Sequence, residues 1–94
     1  MNDEQLRRSL NSIGKACFVK YFTQFSDQFL NRKDLIQLLM RQENYVKSCC
    51  ITRVSQARRI IASERALDAL LVVASSVRVS NKVSTQARRL ARNF

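Results

Sequence analysis

Apolar residues recur along this chain at three- and four-residue steps, the period of helices, and nowhere sustain the alternation of a strand. Leu6, Leu10, Ile13, Cys17 and Tyr21 mark one face of a first helix, which the spacing predicts from Asn2 or Asp3 to about Phe25. Asp3 and Glu4 suit the positive end of its dipole. Beyond Gly14 the apolar surface turns sideways onto Phe18, Phe22 and Phe25. Asn31 is the expected N-cap of a second helix, with Asp34 at its third position, running through Leu35, Ile36, Leu38, Leu39 and Met40 to about Gln42. After a break at Asn44 or Ser48, a third helix is expected from about Tyr45 or Ser48 to Ala62, with Val46, Cys50, Val54, Ala57 and Ile61 inward. Ser63 reads as the N-cap of a fourth helix, Glu64 to Ser76, apolar over most of its girth and therefore expected to be central. Ser80 caps a fifth, whose narrow apolar stripe is Val79, Val83, Ala87, Leu90 and Phe94.

Composition narrows this pattern to one fold class. Glycine occurs once, at Gly14, and proline never, so chain breakers and linker-like stretches are scarce. The expectation is an all-α protein, a small bundle of four to five helices whose C-terminal part forms helical hairpins, in a single domain spanning residues 1–94. With 94 residues and 46% hydrophobic content there is enough for one core and little surplus stability. Four of the five phenylalanines lie between Phe18 and Phe29. They read first as core, and second as a homodimer surface through Phe18, Phe22 and Phe25. The start lacks a basic-then-apolar signal pattern. The most apolar run, Leu67 to Ala74, contains Asp68 and falls short of the roughly 20 residues of a membrane span. No membrane and a cytoplasmic location are expected.

Charge then points to a partner. The formal net charge is +10, and nine of the seventeen bases lie between Ser48 and Phe94 against two acids, Glu64 and Asp68. Eight of those nine are arginines, which pair bidentately with phosphate and with guanine edges as lysine does not. Gln-Ala-Arg-Arg-Ile at 56–60 returns as Gln-Ala-Arg-Arg-Leu at 86–90. On the third helix Arg59 shares the polar side with Ser48, Thr52 and Ser55, and Arg58 flanks it; on the fifth, Lys82, Thr85, Arg88, Arg89 and Arg92 stand opposite the apolar stripe. If the fourth helix joins these two as one arm of a hairpin, both sets of arginines share a face.

Two resemblances follow from those residues. The apolar helix, short turn and helix ending in Ala-Arg-Arg-Leu, within residues 35–94, resembles the paired-helix units of HEAT-type α-solenoids. Ala74 to Leu90 resembles the helix-turn-helix of bacterial and phage repressors, with Arg78 where that motif has its turn glycine and Ser84 at an expected apolar position. The second resemblance implies that Asn81, Lys82 and Thr85 face bases while Arg88, Arg89 and Arg92 hold phosphates.

Candidate chemistry is otherwise thin. Histidine is absent, and Cys17, Cys49 and Cys50 have no CxxC spacing, so neither a metal site nor a cofactor is expected. Cys49, expected to face the core, and Cys50 read as reduced thiols, with a redox role left open. Seven scattered carboxylates offer no acid–base pair, and one glycine makes no phosphate loop. The chain therefore reads as a non-catalytic nucleic-acid-binding protein, DNA ahead of RNA, contacting its ligand through Arg58, Arg59, Lys82, Thr85, Arg88, Arg89 and Arg92. The alternative is an interaction module or inhibitor that docks this basic face on an acidic protein.

Overall fold

In the computed structural model, which describes all residues from Met1 to Phe94, the chain forms seven helices and no strand. They are α1 (Asp3–Ile13), α2 (Lys15–Lys20), α3 (Phe22–Ser26), α4 (Arg32–Glu43), α5 (Lys47–Ala62), α6 (Ala66–Ala74) and α7 (Asn81–Arg92). The all-α class stands, and the count exceeds four to five because the single N-terminal helix expected up to Phe25 is three. Gly14, at φ 87° and ψ 125°, ends α1, and Tyr21, at φ −108° and ψ 17°, separates α2 from α3. A Cβ on Gly14 would meet Arg53 Nη1 at 3.0 Å. That guanidinium donates to the Ile13 carbonyl, which the break leaves without a helical partner. The kink at Tyr21 aims its hydroxyl at Glu43 (2.6 Å) and Gln42 (3.1 Å), tying the N-terminal segment to the end of α4.

Two of the three expected N-caps form, Asn31 and Ser80, and Asn2 at the expected start of α1 adds another. The Asn2 side chain accepts from Gln5 N–H in a reciprocal capping box, Asn31 from Asp34 N–H and Ser80 from Val83 N–H. Ser63 does not cap α6. It closes α5, and Glu64 takes the left-handed conformation at φ 58°. Arg65 N–H bonds Ile60 O at 3.1 Å and Glu64 N–H bonds Ile61 O at 3.0 Å. Those two bonds are a Schellman closure, here built on a glutamate where glycine is usual.

The core is shared by all seven helices. Leu6, Leu10, Ile13, Phe18, Phe25, Leu35, Leu39, Val54, Ile60, Leu70 and Val73 are fully buried. Phe18 stacks on Phe25 at 6.3 Å and meets Phe22 edge-on at 5.4 Å. Because Phe18, Phe22 and Phe25 are all buried within one chain, they do not form the homodimer surface considered from the sequence. The exposed phenylalanines are Phe29 and Phe94. On α5 the inward face is Cys50, Val54, Ala57 and Ile60, while Val46, expected inward, is 67% exposed and Ile61 lies at the boundary.

The α6–α7 pair is the one extensive helical hairpin of the C-terminal part. Its inner faces are small: Ala66 and Ala69 beside Leu70 and Val73 on α6, and Ser84 and Ala87 on α7. Small side chains let two helix backbones approach closely. Ser84 is buried because its hydroxyl is satisfied by the Asn81 carbonyl at 3.2 Å. α6 is not the central element its girth implied, since Leu67 and Leu71 remain exposed on its outer side. α5 packs on α1, α4 and α3, whereas α7 packs on α6 and α2. The side-by-side arrangement of the two repeat-bearing helices is therefore not formed, because α1 and α4 occupy the flanks of α5.

Candidate nucleic-acid interface

α7 begins at its Ser80 cap and carries no acidic residue. Burying Ser84 and Ala87 against α6 and α2 fixes the opposite side, so Lys82, Thr85, Arg88, Arg89 and Arg92 are all exposed. None of the four bases makes an ion pair. From Lys82 to Arg92 the row covers about 15 Å at the helical rise. Cations held this close on a rigid helix repel one another unless an anion lies over them. At the far end Phe94 is 65% exposed although its ring approaches Phe22 at 6.1 Å, so the stripe expected to be apolar throughout is buried only in its middle.

The two arginines of the first motif copy stand on α5 and differ in their partners. Arg58 Nη2 donates to the carbonyls of Asp27 (3.1 Å) and Leu30 (2.5 Å), and its Nε is buried without a partner. It ties the loop between α3 and α4 to α5, so its guanidinium is committed within the fold and is not a free phosphate contact. Arg59 is exposed and unpaired, and stands on α5, whose main packing partners are α1, α4 and α3. Its neighbour Ser55, expected on the same polar side, receives Arg32 Nη2 at 2.9 Å. Equal letters at 56–59 and 86–89 thus serve different ends: Gln56 accepts from the buried Ser9 hydroxyl at 2.8 Å, while Gln86 lines an outer cleft with Lys82.

The acids explain which cations are free. Glu4 pairs with Arg8, Glu43 with Lys20, and Asp3 and Asp68 both with Arg65, whose guanidinium also donates to the Met1 carbonyl. Hydrogen bonding by Arg65 lowers the Asp3 pKa, and hydrogen bonding by Lys20 and Tyr21 lowers that of Glu43. The α7 bases and several cations on other elements are left without an ion pair. These include three the sequence reading did not single out: Arg7 on α1, Lys15 at the start of α2 and Arg78 in the α6–α7 turn. Their separation in the chain hid them from a reading taken helix by helix.

Of the thiols, Cys17 borders the cleft at Lys15 and Arg78. Burial pushes Cys17 and Cys50 up from the ordinary thiol range, whereas Cys49, expected to face the core, is exposed. No three residues among Cys, Asp and Glu gather as a metal-binding group. No helix is long and apolar enough to cross a membrane. Comparison with known proteins finds no matching family model, no matching curated protein and no matching solved structure.

Proposed function

We propose that the protein binds nucleic acid without catalysing a reaction on it, with DNA the expected ligand, through the outer side of α7. One observation carries the reading: Lys82, Arg88, Arg89 and Arg92 are exposed and unpaired on a single face of a helix that holds no acid. Arginine guanidinium groups take phosphate oxygens bidentately, and Thr85 adds a neutral hydroxyl in the same row. The contacts assigned to this face are to the backbone, which sets affinity and register more than base choice. Arg58 is omitted from the contact set, since its donors hold the Asp27 and Leu30 carbonyls. Arg59, exposed and unpaired on α5, stays in the set as a contact outside the α7 row.

A mobility-shift titration with duplex DNA and duplex RNA at low salt tests this directly. The wild type is expected to shift DNA, and Arg88→Glu combined with Arg89→Glu to weaken binding by roughly 100-fold or more, because two phosphate contacts become two repulsions. Both positions are exposed, so circular dichroism should show unchanged helix content. A wild type that shifts neither duplex sinks the proposal, and a double variant of full affinity moves the interface off α7. Capture of an acidic protein with no nucleic-acid shift would install the alternative partner.

A further inference from the structure

Where the α6–α7 turn meets the end of α1 and the start of α2, several cations gather with no free acid among them. Arg7, Lys15 and Arg78 line one cavity of about 400 Å³ together with Asn11, Ser75 and Ser76. Lys15 and Arg78 also line an adjoining cavity of about 450 Å³, walled in addition by Arg53 and Ser80. That second cavity shares Ala16 and Val83 with a third, of about 400 Å³, lined by Lys20 and Lys82. Neighbouring cavities share wall residues, and together the three make up a grooved surface that reaches the start of α7.

Only part of this charge is met by carboxylates: Arg7 also borders Asp3 and Asp68, which both pair with Arg65. Lys15, Arg78 and Lys82 make no ion pair, Lys20 is held by Glu43, and Asp3, the acid that feels Arg7, is already hydrogen-bonded by Arg65. Arg53 is turned to the Ile13 carbonyl and the Tyr45 ring, so it contributes charge to the wall and no free donor. Cations lining a cavity of this size sit within about one Debye length, ~10 Å, and repel. An anion seated among them replaces that repulsion with attraction, and the Asn11, Ser75 and Ser76 side chains offer neutral hydrogen-bonding groups beside it. Each cavity has the volume of an ordinary small-ligand site. The combination of guanidinium, ammonium and hydroxyl groups is suited to phosphoryl oxygens.

We infer that this groove is a phosphate-binding site, and that a nucleic-acid strand lying on α7 continues through it, with Arg7, Lys15 and Arg78 on its phosphates. The continuation rests on the nucleic-acid reading of α7; the phosphate site does not. It draws the N-terminal helices into an interface that charge counting had placed in the C-terminal half alone.

Two measurements on the full chain separate the parts. In the first, inorganic phosphate is titrated into isotope-labelled protein at low ionic strength and followed by amide chemical shifts. Saturable shifts are expected at residues 14–16 and 76–80, and the triple variant Arg7→Gln, Lys15→Gln, Arg78→Gln should lose at least about 10-fold in phosphate affinity with its remaining spectrum unchanged. No saturable shift in the wild type, or the same shift in the variant, overturns the groove as a phosphate site. In the second, duplex binding is measured against salt concentration. The triple variant should reduce the log–log slope by about 2–3, near 0.9 for each phosphate contact removed. An unchanged slope overturns the continuation even if the α7 variant abolishes binding. If the wild type binds no duplex, the continuation falls with the proposed function, and the phosphate titration still decides the groove.

Discussion

An arginine's role here is set by what stands within reach of its donors. Arg58 and Arg88 occupy the same place in the two copies of the motif, yet one holds two loop carbonyls and the other is bare. Local spacing put both on or beside a polar side, which was right as to position and silent as to partner, because the Asp27 and Leu30 carbonyls arrive from a different segment. The same holds for Glu43, whose carboxylate gathers Lys20 and Tyr21 from more than twenty residues away. Its pKa is lowered by the Lys20 hydrogen bond first and the Tyr21 hydroxyl second. A carboxylate with a depressed folded value contributes stability that is complete above its ordinary 4.5 and is lost as pH falls through the folded value. Glu43→Gln should therefore flatten the acid side of the stability–pH curve. At neutral pH it should cost about 1 kcal/mol, the difference between a charged and a neutral acceptor for the buried Tyr21 hydroxyl. Urea unfolding at neutral pH and at successive steps below 4.5 checks both; an unaltered acid limb would show that the carboxylate is not the group responsible.

Helix starts were more legible than helix ends. Asn2, Asn31 and Ser80 cap as their side-chain chemistry requires, since a cap bonds an amide three residues on and needs nothing distant. The closure of α5 was misread because Ser63 beside an acid has the letters of a cap, while the backbone takes its left-handed residue at Glu64. Gly14 was visible as the sole glycine, but a single glycine can be carried inside a helix, and only Arg53 arriving from α5 shows why the chain breaks there. Gly14→Ala should destabilise the protein by about 1–3 kcal/mol, because φ 87° strains any L side chain and the new methyl meets the guanidinium. Thermal and urea unfolding would measure it. A neutral or stabilising result would mean that the break relaxes into one continuous helix.

For the whole molecule, the decisive matter is how few residues remain free once one core has closed. Phe18 stands at the centre of the aromatic cluster, so Phe18→Ala should remove about 3–5 kcal/mol by opening a cavity there. That is a large share of the ~5–15 kcal/mol typical of a domain. The expected signature is lost cooperative unfolding, with no dissociation step in sedimentation; dissociation into folded monomers would restore the dimer reading. Whatever near neighbours carry could be read along the chain. Helical class follows from the three- and four-residue period, N-caps from single side chains, the exposed basic row of α7 from a stripe on one helix, and the excess of positive charge from counting. Relations between distant segments came from the packed fold. It placed α1 and α4 on the flanks of α5, so the two arginine motifs do not lie side by side. It spent Arg58, Arg53 and Arg65 on carbonyls and acids brought from afar, and gathered Arg7, Lys15 and Arg78 around one groove. The physical reason is that helical periodicity states which side of a helix is apolar, while the partner of that side is chosen by side-chain volume and shape across the whole core.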